Sequence, residues 1–328
     1  MTHRRLFAAF AGLALSSCGA PDQETAAPDP VAALTARPLP ETIAYPEGIV
    51  WDQTADVYYV VSAANGAIVR VNFADNTSIP IVAGGQLGSG DAAEFPMALG
   101  LKLDDIGRLW IAGGVRGDVH IVDTRTGQQV KHLTRPDGPP SLFNDLAFAG
   151  EAAFVTDSSR PIIWRISRNG AEIGDLEPWL DLEDEIPHAE GPNLNGVVAT
   201  PDGSTLIAVQ MNTGLLWKVD IARRAISQID LGGVLLQSGD GLVLDGRRLY
   251  ATVQDTQEIV AIDLAQDYAT GSIAGRLRDE RFVAPATAFL RGGSLFVVVT
   301  QMNRFADSSA VRPFNVYEVP VSAIIPSN

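Results

Sequence analysis

Four residues in this chain carry side-chain oxygens at one fixed position of a recurring pattern: Glu47, Asn144, Asn195 and Asp240. Two carboxylates and two amides make a set of hard oxygen donors. Gathered away from bulk water, the two carboxylates would repel each other. A divalent cation removes that repulsion. Oxygen-only ligation with neutral amides favours Ca2+, whereas Zn2+ prefers nitrogen and sulfur. Four protein ligands also leave coordination positions for water or substrate, which is the condition for Lewis-acid chemistry. Beyond the N-terminal stretch the histidines are His120, His132 and His188, and none shares this register. Taken singly, Asn-Asp, Asn-Gly and Asp-Gly are ordinary turn pairs. Their shared register is what makes them a candidate site.

That register belongs to a repeat. Six copies begin at Glu47, Leu99, Asn144, Asn195, Asp240 and Ala286, at intervals of 52, 45, 51, 45 and 46 residues. Each copy holds short β-prone runs, such as LYATV at 249–253 and IVAID at 259–263, separated by Gly, Asp and Asn turns. A fourth, outer run follows in most copies, for example VKHLT at 130–134 and AISQIDL at 225–231. Units of this length with several strands predict an all-β, six-bladed β-propeller. Radial closure would bring the first residues of all six copies to one axis. Gly48, Gly196 and Gly241 follow three of the four donors and keep bulk beside that axis small. Only a short tail, VSAIIPSN, follows the sixth copy, so residues 31–43 are expected to supply its outer strand and close the ring.

Asp and Glu number 39 against 24 Lys and Arg, and no basic run occurs. This argues against a nucleic-acid partner, which needs a basic footprint. The first residues read MTHRRLFAAFAGLALSSCGA: a positive start, then an apolar stretch too short to span a bilayer. Leu15-Ser16-Ser17-Cys18 resembles a bacterial lipobox, which implies a signal peptide over 1–17 and lipid on Cys18, the single cysteine. Gly19 is not the aspartate that resembles an inner-membrane retention signal, so the expected location is the cell envelope facing the periplasm, at the outer rather than the inner membrane. Composition reads 18–40 as a flexible tether and 41–328 as the propeller.

The stretches EGIVWD, NDLAF, NGVVATPDG and DGLVLDG resemble the blade-start motifs of the SMP-30/gluconolactonase/LRE-like family of six-bladed propellers. The resemblance runs from about Tyr45 to Val321. That family includes sugar-lactone lactonases and is close to the calcium-dependent phosphotriesterases. The resemblance implies that Glu47, Asn195 and Asp240 hold a divalent metal and that Asn144 binds metal or substrate. Two departures bear on the substrate. Leu142 stands where the gluconolactonase branch has an arginine for substrate hydroxyls, and GEAAFVTD replaces a Gly-Arg-Trp-like run. An apolar lactone or ester, or an organophosphate-like compound, is therefore as well suited as a sugar lactone.

In a propeller the loops between second and third strands open on the face where these donors start. This places Arg116, Arg160, Gln210, Asn212, Asp255, Gln301 and Asn303 at the entrance, with Arg160, Gln210 and Gln301 as substrate-binding candidates beside Asn144. The 300–313 loop is long enough to act as a lid. His188 lies in the connection leading to Asn195, where a solvated role outweighs a catalytic one. The sequence contains no G-x-S-x-G elbow, phosphate-cradling glycine loop or H-E-x-x-H. The expected activity is metal-dependent hydrolysis of a lactone or related ester, with Asp240 or another mouth carboxylate as base. A non-catalytic envelope platform with a structural metal is the alternative. Isomerisation or condensation on the same scaffold is a third reading.

Overall fold

In the computed structural model, residues 34–88, 95–137 and 140–325 are described. The signal segment, Cys18 and most of the expected tether lie outside them. The chain forms six four-stranded antiparallel sheets arranged as a six-bladed β-propeller. Blades one to five run in chain order, from Pro46–Asp52 in blade one to Gly271–Arg278 in blade five. Blade six takes Pro285–Arg291, Ser294–Val299 and Asn315–Pro320 from the end of the chain.

Its fourth strand is Thr35–Pro38, which pairs antiparallel with Asn315–Pro320. The ring is thus closed by the strand expected from 31–43. Arg37 ties the joint by donating to Glu318 at 2.6 Å and to the Phe73 carbonyl at 3.1 Å. Because Leu34 and Leu39 are buried, the folded body reaches back at least to Leu34, ahead of the boundary at 41 read from composition.

Burial follows position within a blade. The second strand of blade one, VYYVVS at Val57–Ser62, is buried throughout. Its β-branched and aromatic residues suit a strand covered on both faces. The outer strand of blade two, Gln129–Thr134, is mostly exposed and mostly polar. The core is divided among the seams between neighbouring blades. Phe154 and Trp179 of blade three meet Leu206 and Trp217 of blade four, and Tyr58 of blade one meets Phe289 and Phe296 of blade six. Inner strands also share a cavity of about 410 Å3, lined by Trp51, Lys102, Val198, Leu244 and Phe289 from five different blades. Such sharing requires those strands to surround one axis.

In five of the six blades the inner strand begins with the same irregularity. Pairing shifts register between Pro46 and Ile49, Phe143 and Leu146, Leu194 and Val197, Gly239 and Leu242, and Pro285 and Ala288. Each shift admits one extra residue, a β-bulge, and the repeat's register residue sits inside it. Bulges re-aim side chains and increase local twist. Here the bulge lets one residue face the axis while the next abuts the neighbouring blade.

Candidate metal centre

The register residues are linked blade to blade around the axis. The amide of Gly100 donates to the Asn144 carbonyl at 2.7 Å, and the Thr156 hydroxyl donates to the Asn195 carbonyl at 2.7 Å. Thr252 donates to the Ala286 carbonyl, and Thr287 donates to the Glu47 carbonyl. At the remaining seams the strands meet through glycine. A Cβ on Gly48 would lie 2.3 Å from the Leu99 carbonyl oxygen. Real Cβ atoms do not approach a backbone oxygen that closely, so only glycine fits.

Glu47, Asn144, Asn195 and Asp240 are all buried, as are Leu99 and Ala286 at the two positions without a donor. The Asn195 amide lies beside the Asp240 carboxylate and favours its charged form. Gln254 donates to Asp240 Oδ2. In blade three, Asn144 donates through Nδ2 to Ser158 Oγ at 3.1 Å, and Ser158 donates to the Leu194 carbonyl at 2.6 Å. Ser158 and Gln254 each stand fourteen residues after the register residue they orient. Asn195 Nδ2 lies 3.2 Å from the Met211 sulfur. Asn195 and Asp240 are thus neighbours on the axis. Glu47 is within charge range of Asp240, and Asn144 is held through the neighbouring backbone.

The electrostatics follow from burial. Desolvation, reinforced by the charges of Asp240 and Asp145, holds the Glu47 carboxyl well above the usual range. Burial likewise raises Asp240, to about 7, against the hydrogen bond from Gln254 that favours its charged form. The nearby cation is Lys102, whose Nζ lies 2.8 Å from Asp145 rather than either register carboxylate. Glu47 Oε2 and Asn195 Oδ1 are buried without a hydrogen-bond partner. A buried oxygen left in that state is costly and calls for an explanation, an ion being one. Orphaned hard oxygens beside two carboxylates are the donor set a divalent cation such as Ca2+ takes.

The entrance residues have other partners. Arg160 donates to Asp137 at 2.6 Å and lies over Trp164. Gln210 is fully buried: its amide nitrogen serves the Pro187 carbonyl and Asn193, and its oxygen accepts from Trp217. It fixes the connection leading into Asn195. Gln301 bonds the Val311 backbone in both directions, so it pins the 300–313 loop at its base. Asn212 donates to Asn193 and to the Glu190 carbonyl, and Asp255 accepts from Ser238. Arg116 contacts Asp118 and His120 within blade two. His188 is exposed.

Three features escaped the sequence reading. Asp145, directly after Asn144, is a buried carboxylate that accepts from Lys102, Leu146 N and Val197 N. Gln254 orients Asp240, and the shared fourteen-residue offset was the signal for it. At the mouth, Tyr45 packs edge-on against Phe95 and Phe305, whose rings stack with centroids 3.5 Å apart. This places an apolar wall two residues from Glu47.

No protein-family model and no curated protein matches the sequence. Solved structures of similar fold include the calcium-binding protein regucalcin from Agrobacterium tumefaciens, with TM-score 0.61, 17% identity, and 87% of this chain and 93% of that one covered. A gluconolactonase from Xanthomonas campestris gives TM-score 0.61 at 16% identity over 88% of this chain and 89% of that one. Virginiamycin B lyase from Staphylococcus aureus gives 0.57 at 13% identity over 87% and 98%. At these identities the likeness is one of fold.

Proposed function

We propose that the protein is a calcium-dependent hydrolase of lactones or related carboxylic or phosphoric esters. The observation that carries this reading is the pair of orphaned oxygens, Glu47 Oε2 and Asn195 Oδ1, buried beside Asp240. Glu47, Asn144, Asn195 and Asp240 would hold the ion. When bound, a divalent ion supplies Lewis acidity toward a substrate carbonyl or phosphoryl oxygen. Asp240 accepts the proton of the attacking water at its carboxylate, and Gln254 fixes that carboxylate's orientation. Tyr45, Phe95, Phe305 and Leu142 favour an apolar acyl or alkyl portion over a polyol and keep water from that side of the mouth. The gluconolactonase and regucalcin likenesses support this class of chemistry, and the lyase likeness shows why fold alone does not decide it.

The test is hydrolysis of aliphatic and sugar lactones and of aryl and phosphate esters, with and without EDTA. Equal rates in EDTA, or full activity in Glu47→Gln and Asp240→Asn, would refute the assignment. Near-complete burial of all four donors favours a second reading, a structural ion in a non-catalytic propeller. That reading expects EDTA to lower the melting temperature while no substrate of the panel turns over. The lipobox resemblance supports attachment of this body to the cell envelope through lipid on Cys18, and loss of labelled-palmitate incorporation in Cys18→Ala tests it.

A further inference from the structure

A second cluster of ligand-type side chains lies in blade two, apart from the axis. Asp118, His120 and His132 bring one ligand atom each to within 4.8 Å of one another. Asp118 Oδ2 lies 2.8 Å from His132 Nε2 and 3.3 Å from His120 Nε2. Two ligands of one tetrahedral ion, each about 2.0–2.2 Å from it, sit roughly 3.4 Å apart, so these spacings are close to those of a coordination sphere.

The backbone ladder builds this arrangement. His120 and His132 are directly paired across adjacent strands, and their rings stack with centroids 4.3 Å apart. Asp118 is two residues before His120 and so shares its face of the sheet. Val122 continues that face and packs with Val57 and Tyr59, so the cluster faces the seam with blade one. Gly113 makes room for the carboxylate, since a Cβ there would lie 1.6 Å from Asp118 Oδ1. His120 Nδ1 lies 2.6 Å from Gln129 Oε1. A proton on Nδ1 satisfies that oxygen and leaves the Nε2 lone pair facing the cluster, the arrangement by which ligand histidines are held in their tautomer.

A cationic group already sits at this place. The Arg116 guanidinium donates through Nε to Asp118 Oδ2 at 3.0 Å and lies through Nη2 2.7 Å from His120 Nε2. It thus addresses two of the lone pairs a metal would use. Arg116 belongs to the loop between the second and third strands, its side chain is 17% exposed, and His132 is 40% exposed. Both the route out for the guanidinium and the route in for an ion therefore face solvent.

We propose that Asp118, His120 and His132 form a second cation site, selective for a borderline divalent metal such as Zn2+, in which the metal and the Arg116 guanidinium compete for the same lone pairs. Two imidazoles and a carboxylate suit such an ion and not Ca2+, which fits the oxygen-only axial cup. Three protein ligands leave one position open to water. The proposal is independent of the axial site.

Zn2+ alone is titrated into the full-length chain against a chromogenic chelator, with melting temperature as a second readout. Wild type is expected to bind one equivalent that His132→Gln weakens by about tenfold or more. His132 is the most exposed of the three ligands, so its variant keeps its fold, checked by melting without metal. Arg116→Gln is expected to tighten binding several-fold by removing the competitor. Glu47→Gln is expected to leave the Zn2+ isotherm unchanged. The proposal is overturned if His132→Gln binds as wild type does, if Arg116→Gln fails to tighten binding, or if Glu47→Gln abolishes the same equivalent.

Discussion

A Cβ placed on Gly196 would lie 2.1 Å from the carbonyl oxygen of Asp240. The strands carrying Asn195 and Asp240 therefore meet backbone to backbone, and the spacing of these two side chains depends on that approach. Gly196→Ala forces the two strands apart. Overpacking of this kind costs about 1–3 kcal/mol. The expected outcome in thermal unfolding is a melting temperature lower by several degrees, with a weaker response to added Ca2+. An unchanged calcium response would show that the Asn195–Asp240 spacing does not matter to the ion.

Glu47→Gln and Asp240→Asn each remove one of the two register carboxylates. Saturating Ca2+ at about a hundred times its dissociation constant adds about 2.7 kcal/mol to a protein that binds it only when folded. Wild type at pH 8 should gain a stabilisation of that order, and each variant should gain little. Denaturant titrations with Ca2+ and with EDTA measure both. A full calcium response in both variants would move the ion elsewhere.

The raised carboxyls set the direction of pH dependence. In the metal-free fold Asp240 titrates at about 7, against 3.8 when unperturbed, and Glu47 is shifted the same way. Between those values the folded state holds protons that the unfolded state has released. Stability of the metal-free protein is therefore greatest below about pH 4 as far as these groups are concerned, and falls as pH rises toward and through 7. The contribution is on the order of a few kcal/mol. Calcium binding runs the other way, because protons compete for the same oxygens. Melting curves at pH 5.5 and 8, with EDTA and with Ca2+, should show the metal-free form losing stability at pH 8 while the calcium-dependent gain grows. A gain that is larger at pH 5.5 would contradict the assignment.

The repeat made the architecture legible because turns and strand runs recur with the blade, and the register residues stood out because four of six are polar. Closure by Thr35–Pro38 was legible from the short tail after blade six. The bulge was not, because an extra residue in one strand of a pair leaves no mark without knowing its partner. Asp145 was hidden by its neighbour: Asn144-Asp145 reads as a turn pair, and only the fold shows the aspartate reaching blades two and four. Gln210 and Gln301 look like entrance residues from position alone. Their side chains turn instead to loop carbonyls, Pro187 for Gln210 and Val311 for Gln301, which spacing does not encode.

Removing residues 31–39 should open the ring. That deletion takes away the pairing with Asn315–Pro320, the Arg37–Glu318 ion pair and two buried leucines, Leu34 and Leu39. The leucines alone contribute about 2 kcal/mol each. The truncated protein is expected to melt well below the parent, and blade six should exchange its amide hydrogens ahead of the rest. Uniform exchange at an unchanged melting temperature would mean that the strand does not close the ring.

Asp145 couples the frame to the register carboxylates. Its Oδ1 accepts from Lys102 Nζ and from Leu146 N, both at 2.8 Å, and its Oδ2 accepts from Val197 N at 3.1 Å. It thereby joins blades two, three and four. Its charge also helps raise both Glu47 and Asp240, while Lys102 lowers Glu47. Asp145→Asn keeps the shape, turns an amide nitrogen toward backbone donors, and leaves Lys102 without its carboxylate. Breaking a buried pair costs about 3–5 kcal/mol, and the partial exposure of Lys102 places this change at the lower end. The electrostatic consequence has the opposite sign for the ion. With one repelling charge gone and the lysine released toward Glu47, both register carboxylates ionise at lower pH. The variant should therefore be less stable than wild type yet hold Ca2+ to a more acidic pH, and calcium titrations from pH 5 to 8 separate the two effects. A binding midpoint that moves to higher pH, or not at all, would mean that Asp145 acts on the frame alone.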